Sequence, residues 1–226
     1  MTTILITGAA RGIGRAFCEE ALRRGWDVIG SVREADTAMA LEAELGSGFQ
    51  ALVFDVTDAD AVASAAASLD RPIDILINNA GIIGSDRQSA LDMDFDGFAK
   101  TLAINVLAPL RIAQAFLPHL KRSERPRLLT ITSNMGSMSY AKSDHLAYRA
   151  SKAAVNKVMQ GLASDLQRQG VAVAAIHPGW VRTDMGGRGA DIEADESARG
   201  ILDIAEELDL ARTGKFLRYD GSEMEW

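Results

Sequence analysis

Tyr148 and Lys152 lie four residues apart in a segment that is predicted to be helical, and their side chains could move a proton. Four residues is about one helical turn, so the phenol and the ammonium project from the same face. A free tyrosine has a pKa of about 10, and a nearby positive charge favours the phenolate. Lys152 is therefore expected to lower the pKa of Tyr148 toward neutral pH. A solvated helix face can carry the same pair. Other motifs in the chain are therefore needed to distinguish a proton-transfer site from such a face.

A glycine-rich turn follows the first apolar run, Thr3–Thr7. It has the spacing T-G-x-x-x-G-x-G, formed by Thr7, Gly8, Gly12 and Gly14. Glycines allow a sharp turn and a close approach to a pyrophosphate, and a helix that begins near Gly12 directs its free N–H groups at the phosphate charge. Such turns can also serve only to connect elements. Its place directly after the first strand of an α/β chain favours the functional interpretation.

Apolar runs alternate with helical patterns along the chain, which predicts a parallel sheet covered by helices on both faces. The predicted strands are Thr3–Thr7, Asp27–Val32, Phe49–Phe54, Ile73–Ile77, Arg127–Thr132, Val171–Ile176 and Lys215–Tyr219, and the predicted helices are Gly12–Arg24, Ala35–Leu45, Asp58–Leu69, Phe95–Leu120 and Ala147–Gln167. The predicted fold class is α/β: a single Rossmann-type domain over residues 1–226, with a doubly wound parallel sheet of about seven strands.

Polar residues stand where several predicted strands end. Asp55 follows the third strand, Asn78-Asn79-Ala80-Gly81 closes the fourth, and Ser133 ends the fifth. Ligands of open parallel sheets bind outside the carboxyl ends of the strands, so these residues are candidates for a site. His177 ends the sixth strand, where it is expected to be a satisfied polar residue and not an acid or base. The stretch from Trp180 to about Glu193 is expected to form a mobile lid.

The long helix Phe95–Leu120 contains Asn105 with Pro109 four positions later. Proline has no N–H, so the carbonyl of residue 105 loses its helical partner and the helix should bend. A bound water could satisfy that carbonyl. A kink that serves only packing is the alternative.

Composition limits the classes of function. The 226 residues are 47% hydrophobic with a formal charge of −7, which disfavours nucleic acid as a partner. The amino terminus lacks the pattern of a signal peptide, and no segment is expected to span a membrane, so a cytoplasmic location is expected. The single cysteine, Cys18, is expected to be a buried apolar residue. No metal site is expected.

The motifs together resemble the short-chain dehydrogenase/reductase family. The resemblance rests on Thr7-Gly8-x-x-x-Gly12-x-Gly14, Asn78-Asn79-Ala80-Gly81, Asn105, Ser133, Tyr148-x-x-x-Lys152 and Pro178-Gly179, in this order. The segment from His177 to Gly187 and the ending Gly214-Lys215-Phe216-Leu217 are similar to the branch of C-factor and sniffer-type carbonyl reductases. The residues after Ser133, Asn134-Met135-Gly136, depart from the small residues that the family more often has, which leaves the substrate open.

The resemblance implies a role for each matching residue. Tyr148 would exchange a proton with the substrate, Lys152 would assist it and bind the nicotinamide ribose, Ser133 would hold the substrate oxygen, and Asn105 would hold a water beside Lys152. The residues implied to contact the nicotinamide cofactor are Gly8, Arg11, Gly12, Ile13, Gly14, Arg33, Asp55, Val56, Asn79, Ala80, Gly81, Tyr148, Lys152, Pro178, Val181 and Thr183.

The end of the second strand predicts NADP(H) and makes NAD(H) the weaker candidate. Val32 stands where an acidic side chain would bind the ribose 2′-hydroxyl of NAD, and Arg33 follows it. A guanidinium can bind a 2′-phosphate in bidentate fashion, and Arg11 could approach the same phosphate. Glu34 is expected to point to solvent.

Two functions remain open at this point. The chain is predicted to interconvert a ketone or aldehyde and an alcohol, as a homodimer or homotetramer paired through its two long helices. The alternative is a C-factor-like signalling or interaction protein that binds the nucleotide without turnover as its main role.

Overall fold

The computed structural model describes residues 1–139 and 142–226. Within these residues, seven strands form one parallel sheet in the order β3-β2-β1-β4-β7-β8-β9, and two short strands form a separate antiparallel hairpin. The sheet strands are β1 (Thr3–Thr7), β2 (Asp27–Val32), β3 (Phe49–Val53), β4 (Ile75–Asn78), β7 (Arg127–Ile131), β8 (Ala172–His177) and β9 (Lys215–Arg218), and the hairpin is β5 (Gln88–Ser89) with β6 (Asp92–Met93). This topology confirms the predicted doubly wound α/β fold.

In the described part of the chain, seven α-helices connect the strands. They are α1 (Gly12–Arg23), α2 (Ala35–Leu45), α3 (Ala59–Ala67), α4 (Phe95–Leu102), α5 (Ala108–Leu120), α6 (Leu146–Gln167) and α7 (Ala194–Glu207), with a π-helical segment, Ala103–Leu107, joining α4 to α5. From β1 to β3 the strands are added on one side of β1, and from β4 to β9 they are added on the other side. The carboxyl ends of β1 and β4 therefore meet at the switch point where ligands of this fold bind.

Two hydrophobic cores lie on opposite faces of the sheet because neighbouring strand residues point to opposite sides. Ile4 and Ile6 of β1 pack with α1, α2 and α7, whereas Leu5 packs with α3, α5 and α6. All three side chains are fully buried. Strands buried on both faces consist of continuous apolar runs, which is why the sequence pattern predicted them.

Most predicted elements are present with ends displaced by one or two residues. The strand predicted at Ile73–Ile77 runs from Ile75 to Asn78, and the helix predicted at Asp58–Leu69 runs from Ala59 to Ala67. Asp58 is its N-cap: the side chain accepts hydrogen bonds from the N–H groups of Asp60 and Ala61. The prediction missed α7 and the hairpin β5–β6.

The helical stretch Phe95–Leu120 is long and apolar enough to cross a membrane, by length and composition alone. The sequence analysis expected no such segment. One face of its second half, α5, is buried in the core. Ile112, Phe116 and Leu120 are at most 1% exposed and belong to the core between α3, α5, α6 and the sheet.

Candidate active site

The glycine turn after β1 is held against the loop after β4 by hydrogen bonds. Thr7 Oγ1 accepts from the backbone N–H groups of Asn79 and Ala80, at 3.0 and 3.1 Å. Asn79 Nδ2 donates in return to the carbonyls of Thr7 and Gly8, at 2.9 and 3.2 Å. The Gly8 N–H donates to Ser31 Oγ in β2 at 3.2 Å. Residues of three neighbouring strands therefore fix the turn.

Gly8 and Gly14 of this turn leave little room for a side chain. Gly8 has a φ of +71°, and a methyl group there would lie 3.1 Å from Ala80 Cα. A methyl group at Gly14 would lie only 2.1 Å from the carbonyl oxygen of Gly8. A side chain at either place would push the turn away from the sheet, so the glycines keep the backbone where a ligand can approach it.

The amino terminus of α1 fits the pyrophosphate of a dinucleotide. The helix begins at Gly12, its first turn has no acidic residue, and Arg11 at the N-cap position forms no side-chain cap bond within the described residues. Free N–H groups and the helix dipole attract anions at such an end. Ile13, the second helical residue, is half-buried beneath this end. Thr183 lies nearby, since a methyl group at Gly12 would be 3.3 Å from Thr183 Cγ2.

Gly81 keeps space open between the glycine turn and Lys152. A methyl group at Gly81 would lie 3.3 Å from Asn105 Oδ1 and 3.8 Å from Lys152 Nζ. A cofactor ribose placed here would have the lysine ammonium within reach, which is what the predicted role of Lys152 requires.

Tyr148 and Lys152 lie on the first turns of α6, and both side chains are buried. Lys152 Nζ is 5.6 Å from the centroid of the Tyr148 ring and donates a hydrogen bond to the Ile131 carbonyl at 2.9 Å. Burial lowers the pKa of Lys152 to about 8, because the charged form loses its hydration.

The predicted direction of the Tyr148 pKa is wrong for this structure. Burial raises the pKa of Tyr148 to about 12, and the Ser133 side chain opposes that rise only in part. The prediction from sequence included the charge of Lys152 but not the loss of water around the phenol. That loss has the larger effect on the pKa here. The phenol of Tyr148 is therefore protonated at neutral pH, so it can donate a hydrogen bond.

Ser133 follows β7 and is 7% exposed. Its Oγ accepts from the Met135 N–H at 3.1 Å, which caps a short 3₁₀ turn over Asn134–Gly136. Gly136 packs directly on α6, since a methyl group there would lie 2.6 Å from the Lys152 carbonyl carbon. The loop after Ser133 is therefore in close contact with α6, although its residues differ from the small ones that the family more often has.

Asn105 connects three segments of the site through its side chain. Its Oδ1 accepts from the Ile82 N–H at 2.9 Å, and its Nδ2 donates to the Ile82 carbonyl at 2.8 Å and to Ser151 Oγ at 3.0 Å. Ser151 Oγ in turn donates to the Tyr148 carbonyl at 2.7 Å. The amide thus ties the loop after β4 to the helix that carries Tyr148.

The helix around Asn105 is distorted where Pro109 predicted a disturbance. Ala103–Leu107 is π-helical, and the Ala108 N–H donates to the carbonyl five residues back, at Ala103. π-Helical turns inside α-helices occur frequently at functional sites. The water proposed at the carbonyl of residue 105 stays a prediction.

Arg33 and Asp55 lie at neighbouring strand ends, where the adenosine half of a dinucleotide is predicted to bind. Both side chains are exposed. Asp55 accepts from the N–H and the hydroxyl of Thr57, at 2.8 and 2.7 Å, and these bonds, with a smaller effect of Arg33, lower the pKa of its carboxyl group. Val56 is half-buried beside Asp55, and its carbonyl accepts from Arg111. Glu34 is exposed, as predicted.

Arg11 forms an ion pair with a residue of the loop after β8, and its predicted contact with a 2′-phosphate stays a prediction. Its guanidinium forms an ion pair of 2.8 Å with Asp184, in the loop after β8, and both side chains are more than three-quarters exposed. An exposed pair of this kind contributes little to stability. The pair connects the glycine turn to the loop after β8.

The loop after β8 has fixed ends. Val181 pairs with Ile192, and the Arg182 N–H donates to the Ile192 carbonyl at 2.8 Å. The Pro178 carbonyl accepts from Ser197 Oγ of α7 at 2.7 Å. These contacts hold Pro178 and Val181 in place, and Thr183, two residues after Val181, lies next to Gly12. That the loop is a mobile lid stays a prediction.

His177, at the end of β8, is buried, but its Nδ1 has no hydrogen-bond partner within the described part of the chain, so the expectation of a satisfied residue is wrong for this atom. Burial lowers the pKa of His177 to about 4, with a smaller effect of Arg218. The imidazole is therefore neutral at pH 7.

No role was predicted from the sequence for Ser31 or Ser151. Ser31 and Ser151 hold the glycine turn and Tyr148 as described, and Asn78 Nδ2 donates to the Pro109 carbonyl at 3.2 Å. These two serines could have been found, because each is a polar residue within an apolar strand or on a buried helix face. Buried polar groups are nearly always hydrogen-bonded, so such residues are expected to hold a neighbouring segment.

Fold and site together define a Rossmann-type protein with its functional residues at the carboxyl edge of a parallel sheet. The family model described as short chain dehydrogenase matches residues 2–193, and the chain is an oxidoreductase of the short-chain dehydrogenase/reductase family.

Individual relatives point the same way. The chain is 42% identical to the C-signal of Myxococcus xanthus over 158 residues, which cover 69% of this chain and 93% of the relative. It is similar to NADPH-bound carbonyl reductase from chicken, with a TM-score of 0.92, 31% identity and coverage of 100% and 99% of the two chains. It is also similar to the carbonyl reductase Sniffer of D. melanogaster, with a TM-score of 0.93, 29% identity and full coverage of both chains.

Proposed function

We propose that this protein is an NADPH-dependent reductase of ketones or aldehydes, which can also run the reverse oxidation of alcohols. The observation that carries the proposal is the cluster of Ser133, Tyr148 and Lys152, in which Ser133 is hydrogen-bonded to Tyr148 and the Lys152 ammonium lies 5.6 Å from the centroid of the tyrosine ring. The loop after β4 contacts both this cluster and the glycine turn, whose helix end fits a pyrophosphate. The likeness to an NADPH-bound carbonyl reductase supports the same cofactor and reaction class.

In the proposed reaction the bound nicotinamide supplies the hydride that the carbonyl carbon receives. Ser133 Oγ and the Tyr148 hydroxyl donate hydrogen bonds to the carbonyl oxygen, which stabilises the negative charge that develops there. Tyr148 then gives its proton to that oxygen, and its high pKa keeps the phenol protonated until this step. Lys152, held by the Ile131 carbonyl, stabilises the phenolate that remains.

The cofactor choice is proposed from the end of β2. Val32 offers no carboxylate that would repel a 2′-phosphate, and the exposed guanidinium of Arg33 follows it. Because Arg11 is paired with Asp184, Arg33 is the main proposed contact to that phosphate.

A signalling role is the second candidate, since 42% identity links the chain to C-signal. Titration of the protein with NADPH and NADH by fluorescence, followed by a screen of carbonyl compounds, distinguishes the two. Turnover of a carbonyl with NADPH supports the reductase. Tight cofactor binding without turnover of any compound would favour the signalling role, and no cofactor binding would contradict both.

A further inference from the structure

The Tyr148 N–H needs a hydrogen-bond partner that its own helix does not supply. Tyr148 is the third residue of α6, and the first N–H groups of a helix have no partner in the preceding turn. The N-cap residue normally accepts from the third N–H with its side chain. Here the N-cap residue is His145 in a left-handed conformation, φ 49°, and its side chain forms no such bond within the described residues.

Gln88 supplies this bond from 60 residues away. Its Oε1 accepts from the Tyr148 N–H at 3.0 Å, and the side chain is 95% buried, with 5% of its surface exposed. Gln88 lies on β5 of the short hairpin, which packs on the beginning of α6.

The other end of the Gln88 amide fixes its orientation. Nε2 donates to the carbonyls of Ile83 and Ser85, at 3.0 and 2.5 Å, so only the oxygen can face Tyr148. Gly84 shapes this turn: it has a φ of +93°, and a methyl group there would lie 3.2 Å from Gln88 Nε2 and 2.8 Å from Thr101 Oγ1.

The same loop holds Tyr148 from a second side. Ile82 is bonded to the Asn105 amide, which reaches the Tyr148 carbonyl through Ser151 Oγ. Both main-chain polar atoms of Tyr148 are therefore connected to the segment 82–88, one through Asn105 and Ser151 and the other through Gln88.

From this closed set of bonds we infer that Gln88 is a positioning residue for Tyr148: it caps the catalytic helix from the hairpin and sets where the phenol lies relative to Ser133. This inference rests on the proposed reductase function. Gln88 does not touch the reacting atoms, so its loss should reduce the chemical step and leave the binding of cofactor and substrate unchanged.

Gln88→Leu tests the inference, because leucine fills a similar volume and removes all three hydrogen bonds. We expect kcat for the best carbonyl substrate to fall about ten- to hundredfold, the range for a slightly misplaced catalytic group. The KM values of substrate and NADPH should stay within about twofold. An unchanged kcat, or equal losses in kcat and in NADPH binding, would overturn the assignment.

Asp94→Ala is the matched control. Asp94 caps the next helix, α4, by accepting from the Gly97 N–H at 2.9 Å, and it forms no bond to Tyr148 within the described residues. Its loss should lower Tm, as any lost cap does, with kcat of the folded protein unchanged. If both variants lose kcat in proportion to Tm, Gln88 serves stability alone and the inference is wrong.

Amide hydrogen exchange tests the contact without turnover. The Tyr148 amide should be protected in the unaltered protein, unlike most N–H groups in a first helical turn, and Gln88→Leu should remove this protection while later residues of α6 keep theirs. A rapidly exchanging Tyr148 amide in the unaltered protein would contradict the Gln88 bond. Protection without any carbonyl turnover would leave the contact in place and refute the proposed reaction instead.

Discussion

Lys152→Met should change how the stability of the protein depends on pH. Lys152 is 6% exposed, and burial lowers its pKa from 10.5 to about 8 in the folded state. Between these two values the unfolded chain binds more protons than the folded protein, so this residue makes stability rise with pH. Methionine has a similar length and does not titrate, so the variant should lack this rise.

The magnitude follows from the two pKa values. The difference between 10.5 and about 8 corresponds to about 3 kcal/mol, of which about 2 kcal/mol is gained between pH 7 and pH 9.5. Removal of the ammonium also leaves the Ile131 carbonyl without its donor, which costs about 1–3 kcal/mol at every pH. The pH-dependent part is therefore separable from the lost hydrogen bond.

Urea unfolding at pH 7, 8, 9 and 9.5 measures both parts. We expect the free energy of unfolding of Lys152→Met, relative to the unaltered protein, to fall by about 2 kcal/mol from pH 7 to pH 9.5. Lys157→Met is the matched control, since Lys157 is exposed on the same helix and the variant removes the same charge without the buried hydrogen bond. Parallel curves for Lys152→Met would show that the ammonium is not desolvated as described.

Three further predictions concern the proton path, the cofactor and the assembly. Pro109→Ala should restore a helical hydrogen bond to the carbonyl of residue 105, displace the proposed water and slow turnover; an unchanged rate with slightly raised stability would show that the proline serves packing. Arg33→Ala should weaken NADPH binding about ten- to hundredfold in a fluorescence titration and leave NADH binding unchanged; undiminished discrimination would place the 2′-phosphate contact elsewhere. Light scattering at micromolar concentration should give a homodimer or larger assembly, and a monomer mass would refute pairing through the long helices.

The fold was predictable because its strands are buried on both faces and its helices alternate with them. Continuous apolar runs such as Ile4–Ile6 carry that signal directly. Helix α7 could also have been found, since Ala198, Ile201, Leu202 and Ala205 repeat at three- and four-residue intervals and are all buried. The hairpin β5–β6 has two residues in each strand, too few for any period to appear.

Some properties of the site depend on local sequence, and others depend on contacts between distant segments. The places of the glycine turn, Ser133, Tyr148 and Lys152 at the ends of strands and of a helix were predictable, because each belongs to a short motif. The direction of the Tyr148 pKa depends on burial by distant segments, and the Arg11–Asp184 pair joins residues 173 positions apart. Neither property can be obtained from spacing along the chain.

Tyr148→Phe tests the central claim most directly, because it removes the hydroxyl that donates the proton and keeps the aromatic ring. Turnover of the best carbonyl substrate with NADPH should fall at least about a hundredfold, the usual cost of losing a general acid. The dissociation constant for NADPH should change little. Turnover close to that of the unaltered protein would contradict the assignment of Tyr148 as the proton donor and with it the proposed mechanism.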